Sequence, residues 1–264
     1  MNKTGEEPIL SLPERHNRIL ALLQQFGSIS VAQLAERFKV SEVTIRKDLS
    51  YLEQQKKLYR THGSAILISP YISDRHVNEK EKRNVAEKRA IGAFAASLIA
   101  QDDSIIIASG TTVTFLAREI NPAGHLTAIT ASVPVTQILS QCPDVDVIQL
   151  GGITRSSSVS VGGPYAGQML RSFNCSKLFI GVDGIDTEFG LTTTNMLEAS
   201  LNGAMIDAAQ KVIVLADSSK FGRRGFSKIC DLESVDRIIT DSGVQSVYLD
   251  RLRERGIEVT VVDV

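Results

Sequence analysis

Seven short apolar runs recur along the last two thirds of the chain: SIIIA (104–108), LTAIT (126–130), VDVIQL (145–150), KLFIGV (177–182), KVIVLA (211–216), RIITD (237–241) and IEVTVVD (257–263). Most are apolar on successive residues rather than alternate ones, which suits strands covered on both faces. Helical segments fall between them. Val113, Leu116, Ala117 and Ile120 share one helix face, and further helices are expected near 133–141 and over 196–209. Strands that alternate with helices give a doubly wound, mainly parallel α/β sheet. Ligands in such sheets bind beyond the carboxyl ends of the strands, so the loops there are the places to look for chemistry.

Four of those loops stand out. ASGTT (108–112) leaves a strand and opens a helix. Ser109 and Gly110 let the backbone approach closely, and the N–H groups near Thr111 and Thr112 meet an incoming anion with about half a positive charge behind them. Taken alone it is better read as a tight βα turn with Thr111 as cap. No G-x-x-x-x-G-K-[ST] follows, which excludes a nucleotide P-loop. LGGITR (150–155) brings Gly151, Gly152 and Arg155. GVDGID (181–186) holds Asp183 beside Gly184, where a carboxylate can accept from sugar hydroxyls. ADSSKFGR (216–223) brings Lys220, a mobile cation suited to a phosphate or a carbonyl. Each is a turn by itself, and together they describe a pocket for a polyol phosphate.

The first sixty residues follow a different plan. In RHNRILALLQQF (15–26), Ile19, Leu22, Leu23 and Phe26 line one helix face, and Gly27 ends it. VAQLAERF (31–38) repeats the pattern with Val31, Leu34, Ala35 and Phe38, and Ser30 is placed to cap it. After Lys39-Val40, Ser41 can cap a third helix whose buried stripe is Ile45, Leu49 and Leu52. Three short helices, the last two close together, match a helix-turn-helix. Turning 100° per residue from Ile45 points Val43 and Lys47 directly away from the core, flanked by Glu42, Thr44, Arg46 and Ser50. That is the face a recognition helix presents to base edges and phosphates in the major groove. Asp48 falls at the margin of the buried face and is expected to partner a local donor. KKLYRTHGSAI (56–66) then turns at His62-Gly63 and reads as a basic hairpin, the wing of a winged helix, with Lys56, Lys57 and Arg60 available to phosphates. Charge agrees in sign: residues 1–62 hold ten Lys/Arg and seven Asp/Glu (+3), the remainder nineteen and twenty-three (−4).

Other classes are disfavoured. Three cysteines, Cys142, Cys175 and Cys230, lie far apart without a C-x-x-C pair, and the four histidines show no i, i+4 pairing, so no metal site is expected. Nothing calls for a cofactor. MNKTGEEPI puts acids and a proline where a signal peptide needs an apolar run, and no stretch approaches the ~20 apolar residues of a membrane span. A cytoplasmic protein is expected.

The residues quoted resemble the DeoR family of bacterial transcriptional regulators along almost the whole chain. Arg15, Ile19, Leu23, SEVTIRKDL (41–49) and RTHGSA (60–65) match its DNA-binding signature. SGTT, LGGITR, GVDGID followed by GLTT, Glu198 with Ala199, and DSSKFGR match its effector domain. The resemblance implies an N-terminal winged helix-turn-helix at 1–66, a linker at 67–82, and a larger α/β domain at 83–264 related to sugar-phosphate isomerases. It further implies a repressor of a sugar-catabolic operon, acting as a homo-oligomer (dimer or tetramer) on double-stranded operator DNA and released by a phosphorylated sugar. On that basis the DNA-contact set is Ser41, Glu42, Val43, Thr44, Arg46, Lys47, Ser50, Lys57, Arg60 and His62. The effector set is Ser109 to Thr112, Ser132, Gly151, Gly152, Arg155, Asp183, Gly184, Glu198 and Lys220. The chain departs from the family pattern at Ala108, commonly Asp, at Ala131, commonly Asn, at Gly203, often basic, and at Ser64, commonly Gly. A competing reading is a sugar-phosphate isomerase with an appended helix bundle, with Asp183 or Glu198 as general base. A third makes the body a ligand-free oligomerisation module.

Overall fold

The computed structural model describes residues 11–26, 28–55, 57–60, 64–67 and 76–264. Gly27, Lys56, His62, Gly63 and residues 68–75 of the expected linker lie outside the described residues, as does the side chain of Phe26. The chain divides into two compact units, residues 1–69 and 70–264.

The first unit runs α1 (Leu12–Phe26), β1 (Ser28–Ser30), α2 (Val31–Phe38), α3 (Glu42–Gln54), β2 (Leu58–Arg60) and β3 (Ser64–Leu67). Local chemistry sets the helix ends. Ser30 and Gln33 form a reciprocal capping box on α2, and Lys39 closes that helix in the left-handed region at φ 53°. Ser41 Oγ accepts from Thr44 N at 3.1 Å at the start of α3. Each such cap contributes about 1 kcal/mol. Ile19, Leu23, Leu34, Ile45, Leu49, Leu52 and Leu58 are fully buried in one cluster. At roughly 1.5–3 kcal/mol per side chain, burial rather than capping holds the unit together. β2 and β3 form the antiparallel hairpin of a wing, and β1 adds to the far side of β3. The periodicity did not foresee β1, because three residues are too few to show one.

The second unit opens with α4 (Val77–Glu81) and α5 (Val85–Ala96). Then follow β4 (Ser104–Ile107), α6 (Thr111–Glu119), β5 (Leu126–Thr130), α7 (Val133–Leu139) and β6 (Val145–Gln149). A hairpin of β7 (Ile153–Arg155) and β8 (Ser160–Gly162) precedes α8 (Pro164–Leu170) and β9 (Lys177–Gly181). After β10 (Gly184–Asp186), β11 (Gly190–Thr193) and α9 (Met196–Asp207) come β12 (Val212–Leu215), β13 (Ser227–Cys230), β14 (Arg237–Asp241), α10 (Ser246–Glu254) and β15 (Glu258–Val262).

Seven strands form one wholly parallel sheet in the order β15-β14-β12-β9-β4-β5-β6. These are the seven apolar runs. Ile105, Ile107, Leu116, Leu126, Val135, Phe179, Leu215 and Ile239 are buried in its core. From β4 the chain steps outward through β5 to β6, and from β9 it steps the other way through β12 and β14 to β15. The direction therefore reverses between the neighbours β4 and β9, where a doubly wound sheet leaves a crevice beyond its carboxyl ends. Two smaller features were not expected from the sequence. β10, β11 and β13 make a separate antiparallel sheet, and β7 with β8 turns back after the edge strand β6.

Candidate functional sites

The outward face of α3 follows from its buried one. Val43 is 58% exposed, although apolar, and Lys47 is exposed beside it. Arg46 is also exposed and pairs with Glu42 one turn earlier at 2.6 Å. An exposed i, i+4 pair is worth about 0.3–0.5 kcal/mol, so Arg46 can leave it for a better partner at little cost. Thr44 Oγ1 lies 2.9 Å from Ser41 Oγ. Ser50 is more committed: its hydroxyl donates to the carbonyl of Arg46 at 2.8 Å and accepts from the Arg60 guanidinium. Arg60 N also donates to Glu53 Oε1 at 3.0 Å. Ser50, Glu53 and Arg60 thus brace the strand β2 against α3. Lys57 is exposed, and His62 falls outside the described residues.

Beneath this face the structure corrects one expectation. The partners of Asp48 are not local. Arg15 on α1 grips it through Nε at 2.6 Å and Nη2 at 3.0 Å, and His16 Nε2 lies 3.1 Å from its Oδ1. His16 in turn stacks on Tyr51 at 5.0 Å. Asp48 is 3% exposed. A charge-assisted fork this well closed sets the position of α3 on α1.

In the body, the loops that end β4, β9 and β12 lie side by side. Gly110 has φ 136°, with open space where a side chain would be, and it starts α6 without a side-chain cap. A left-handed φ of this size suits glycine alone. Ser109, Thr111 and Thr112 are buried around it. Next door, after β9, Asp183 Oδ2 accepts from Thr193 Oγ1 at 3.2 Å and from Thr194 N and Oγ1 at 3.3 Å each. Its Oδ1 accepts from Lys80 Nζ at 2.8 Å. Burial opposes ionisation of Asp183, but the charges of Lys80 and Lys220 and the Thr193 hydroxyl outweigh it and hold the carboxyl below its ordinary value.

Lys220 follows β12 in a short 3-10 turn, Ser218–Lys220. Burial pushes its pKa down, against the opposing pull of Asp217 and Asp183, and Lys80 and Arg223 push the same way as burial. Arg155 comes from farther away. The loop that it belongs to leaves β6, two strands beyond β4, and the β7–β8 hairpin carries it back to Glu198 on α9, at 2.6 Å. Burial and the nearby Asp183 raise the Glu198 pKa, with Arg155 and Lys80 restraining the rise. Arg155, Asp183, Glu198 and Lys220 are therefore brought into one electrostatic cluster.

The other expected residues are placed differently. Ser132 is buried at the start of α7, where its hydroxyl accepts from Val135 N at 3.4 Å. Gly151 and Gly152 are exposed at the root of the hairpin, where a Cβ on Gly152 would sit 2.5 Å from the Gly162 carbonyl oxygen. Gly184 is packed 2.3 Å, by the same measure, from the carbonyl oxygen of Arg223. It serves close backbone packing. Ala108 and Ala131 are buried at the ends of β4 and β5.

Three groups in the cluster were not singled out from the sequence. Lys80, on α4, comes from the segment read as linker. Asp217 caps the turn that carries Lys220 and accepts from Asn84 Nδ2 at 2.8 Å. Lys88 is buried on α5, and its Nζ donates to the carbonyls of Lys80 and of Arg83, the latter at 2.6 Å. Burial lowers the Lys88 pKa to about 8, with Asp217 opposing and Lys220 adding to the fall. A signal for Lys88 was present, since it shares the buried face of Ile91, Gly92 and Ala95. Lys80 had none, because its partner is 103 residues away. Among the described residues no group of three or more His, Cys, Asp or Glu could hold a metal ion, and no helix is long and apolar enough to cross a membrane.

Comparison with known proteins bears on both sites. Residues 15–71 match the DeoR-like helix-turn-helix domain, and residues 83–242 match the DeoR C terminal sensor domain. The chain is 38% identical to the HTH-type transcriptional regulator YulB of Bacillus subtilis (strain 168), over 94% of this chain and 96% of that protein. It is 37% identical to a putative aga operon transcriptional repressor of Escherichia coli O157:H7, over 98% of this chain and 97% of that protein. Ribose 5 phosphate isomerase A from Neisseria gonorrhoeae overlays 51% of the chain and 52% of its own at 16% identity, with a TM-score of 0.36.

Proposed function

The chain belongs to the DeoR family of transcriptional regulators, and from that premise we propose that it is a repressor of a sugar-catabolic operon, released from its operator by a phosphorylated sugar. α3 enters the major groove, with Thr44, Arg46 and Lys47 reaching base edges and phosphates and the wing residues Lys57 and Arg60 flanking them. A homo-oligomer places two such helices on half-sites about 34–36 Å apart or a multiple of that. Residues 1–66 carry DNA binding, 67–82 connect, and 83–264 carry effector binding and oligomerisation, with Lys80 reaching the pocket from the end of the connector.

One observation supports the effector half above the others. Three cations, Lys80, Lys220 and Arg155, meet two carboxylates, the buried Asp183 and the half-buried Glu198, at the point where the sheet order reverses. Free backbone N–H groups at a helix start and ammonium groups suit a phosphate, and carboxylates suit sugar hydroxyls. Neither charge type alone would select a phosphorylated polyol. A body that only oligomerises has no use for charges of both signs drawn partly out of water into one crevice, since each costs desolvation.

The test is thermal unfolding of the protein with ribose 5-phosphate, fructose 6-phosphate and glucosamine 6-phosphate, each beside its unphosphorylated parent. A ligand present at a hundred times its dissociation constant stabilises by about 2.7 kcal/mol, which shifts the melting temperature measurably. A shift with one phosphorylated sugar and none with its parent is expected. Equal shifts with sugar and phosphosugar would overturn the phosphate assignment, and no shift across the panel would overturn the sensor reading for these sugars.

A further inference from the structure

α4 has little apolar anchorage, since its one apolar residue, Val77, is only half-buried. None of its five residues is buried, and a helix this short is far below the ~12–15 residues at which helices begin to persist alone. Polar links hold it in place. Val77 N donates to the carbonyl of Ser157 at 2.7 Å. Glu81 pairs with Arg118 at 2.7 Å where both are exposed, so that link is weak. Lys88 reaches up from α5 to the carbonyls at the end of α4. The remaining link is Lys80 to Asp183 at 2.8 Å, with the lysine side chain 26% exposed and the aspartate 9%.

Two of these four links end in the pocket. Asp183 is one of its carboxylates. Ser157 is held by the pocket too, since its hydroxyl accepts from Arg155 Nη2 at 3.1 Å while Arg155 grips Glu198. Asp183 is otherwise satisfied on Oδ2 by Thr193 and Thr194, so Oδ1 is the atom left for either Lys80 or an incoming hydroxyl. Along the chain, residues 68–76 are all that separate α4 from β3, the last strand of the DNA-binding unit.

Resting on the phosphosugar reading above, we propose that Lys80 is a latch that couples occupancy of the pocket to the seating of α4. In the unliganded protein Lys80 holds Asp183 Oδ1 and pins α4. A sugar hydroxyl that donates to Oδ1 takes that acceptor, Lys80 turns outward, and α4 comes loose. A ligand changes a conformational equilibrium only through groups it meets differently in the two states, and Asp183 Oδ1 is such a group. Lys80 lies outside every motif that carries the family resemblance, and the resemblance assigns it no role.

Hydrogen–deuterium exchange of the full-length protein, wild type and Lys80→Met, is the test, with Lys82→Met as control because Lys82 is exposed on the same helix end. Without any sugar, the α4 amides of Lys80→Met are expected to exchange at least tenfold faster than in wild type, and those of Lys82→Met to match wild type. A phosphosugar from the panel that raises the wild-type melting temperature is expected to speed the same amides in wild type and to leave Lys80→Met unchanged. Unliganded Lys80→Met is expected to bind operator DNA as the liganded wild type does, with no further response. If a panel sugar stabilises wild type while α4 exchange stays put and Lys80→Met keeps the full DNA response, the latch is wrong and the pocket stands. If no panel sugar stabilises wild type, the pocket reading fails for those sugars. The latch is then judged on unliganded exchange alone: equal rates in wild type and Lys80→Met overturn it.

Discussion

Asp48 in the DNA-binding unit and Asp183 in the body are both buried acids held by cations, yet they are built for opposite ends. Asp48 receives a two-pronged guanidinium and an imidazole, on side chains no more than 9% exposed. Asp183 receives a single ammonium on a lysine that reaches water, with a second ammonium, Lys220, acting on it from nearby. A planar fork holds one geometry and resists exchange, whereas a lysine is a point charge on a flexible stem that another donor can displace. The first arrangement fixes a structure. The second leaves an acid that is ionised, sheltered and available, which is what a ligand site requires.

The sharpest way to break that comparison is to remove each acid. Asp48→Ala strands the Arg15 charge in a closed site and is expected to destabilise the N-terminal unit by about 3–5 kcal/mol, read by urea unfolding. Asp183→Asn lets Lys80 turn to water and is expected to cost less stability than Asp48→Ala while abolishing the phosphosugar response. Equal costs would erase the distinction. Next in size, Arg46→Ala and Lys47→Ala are each expected to weaken operator binding by about 1–3 kcal/mol without moving the melting temperature, since both side chains lie outside the core. Full operator affinity in both variants would remove α3 as the reading helix. Lys220→Met is expected to leave operator affinity alone and to shift the phosphosugar dose–response about tenfold, or 1.4 kcal/mol. An unchanged curve would take Lys220 out of the site.

The smallest effect concerns pH. Burial disfavours the Lys88 ammonium, so the folded protein releases that proton near pH 8 while the unfolded chain keeps it to 10.5. Between those values the unfolded state binds more protons, and the Lys88 contribution to stability rises with pH. Wild type is therefore expected to gain on Lys88→Met by about 1 kcal/mol from pH 8 to pH 9 in paired urea titrations. A gap that is flat or shrinks with pH would mean that Lys88 is better solvated than its carbonyl partners suggest.

Legibility in the sequence followed the range of the interactions. The seven parallel strands were readable because a strand covered on both faces must be apolar throughout, and α2 and α3 because Ser30 and Ser41 mark their starts locally. The exposed face of α3 followed from Ile45 by helix geometry alone. The hairpin β7–β8 and the sheet β10-β11-β13 were not readable, since strands of three or four residues show no period. In the charged cluster, Asp183 and Lys220 could be picked out as candidates because each follows a strand at the carboxyl edge. The Arg155–Glu198 pair joins a hairpin to a helix 43 residues on, and nothing local announces it. Asp48 showed itself as a polar residue at the core margin, but its partner on α1 lay beyond any local pattern. Lys80 was hidden most completely, in a charged stretch that reads as solvent-facing.

The central claim is that one chain couples α3 on DNA to a phosphorylated sugar in the crevice between β4 and β9. Fluorescence anisotropy of the full-length protein on the DNA upstream of its own operon tests it directly, titrated with ribose 5-phosphate, fructose 6-phosphate and glucosamine 6-phosphate and with their parent sugars. The account predicts that at least one phosphorylated sugar weakens the complex by about tenfold or more, a coupling of about 1.4 kcal/mol, while its parent does not. An affinity that stays constant in the presence of a phosphosugar shown to bind the protein would contradict it.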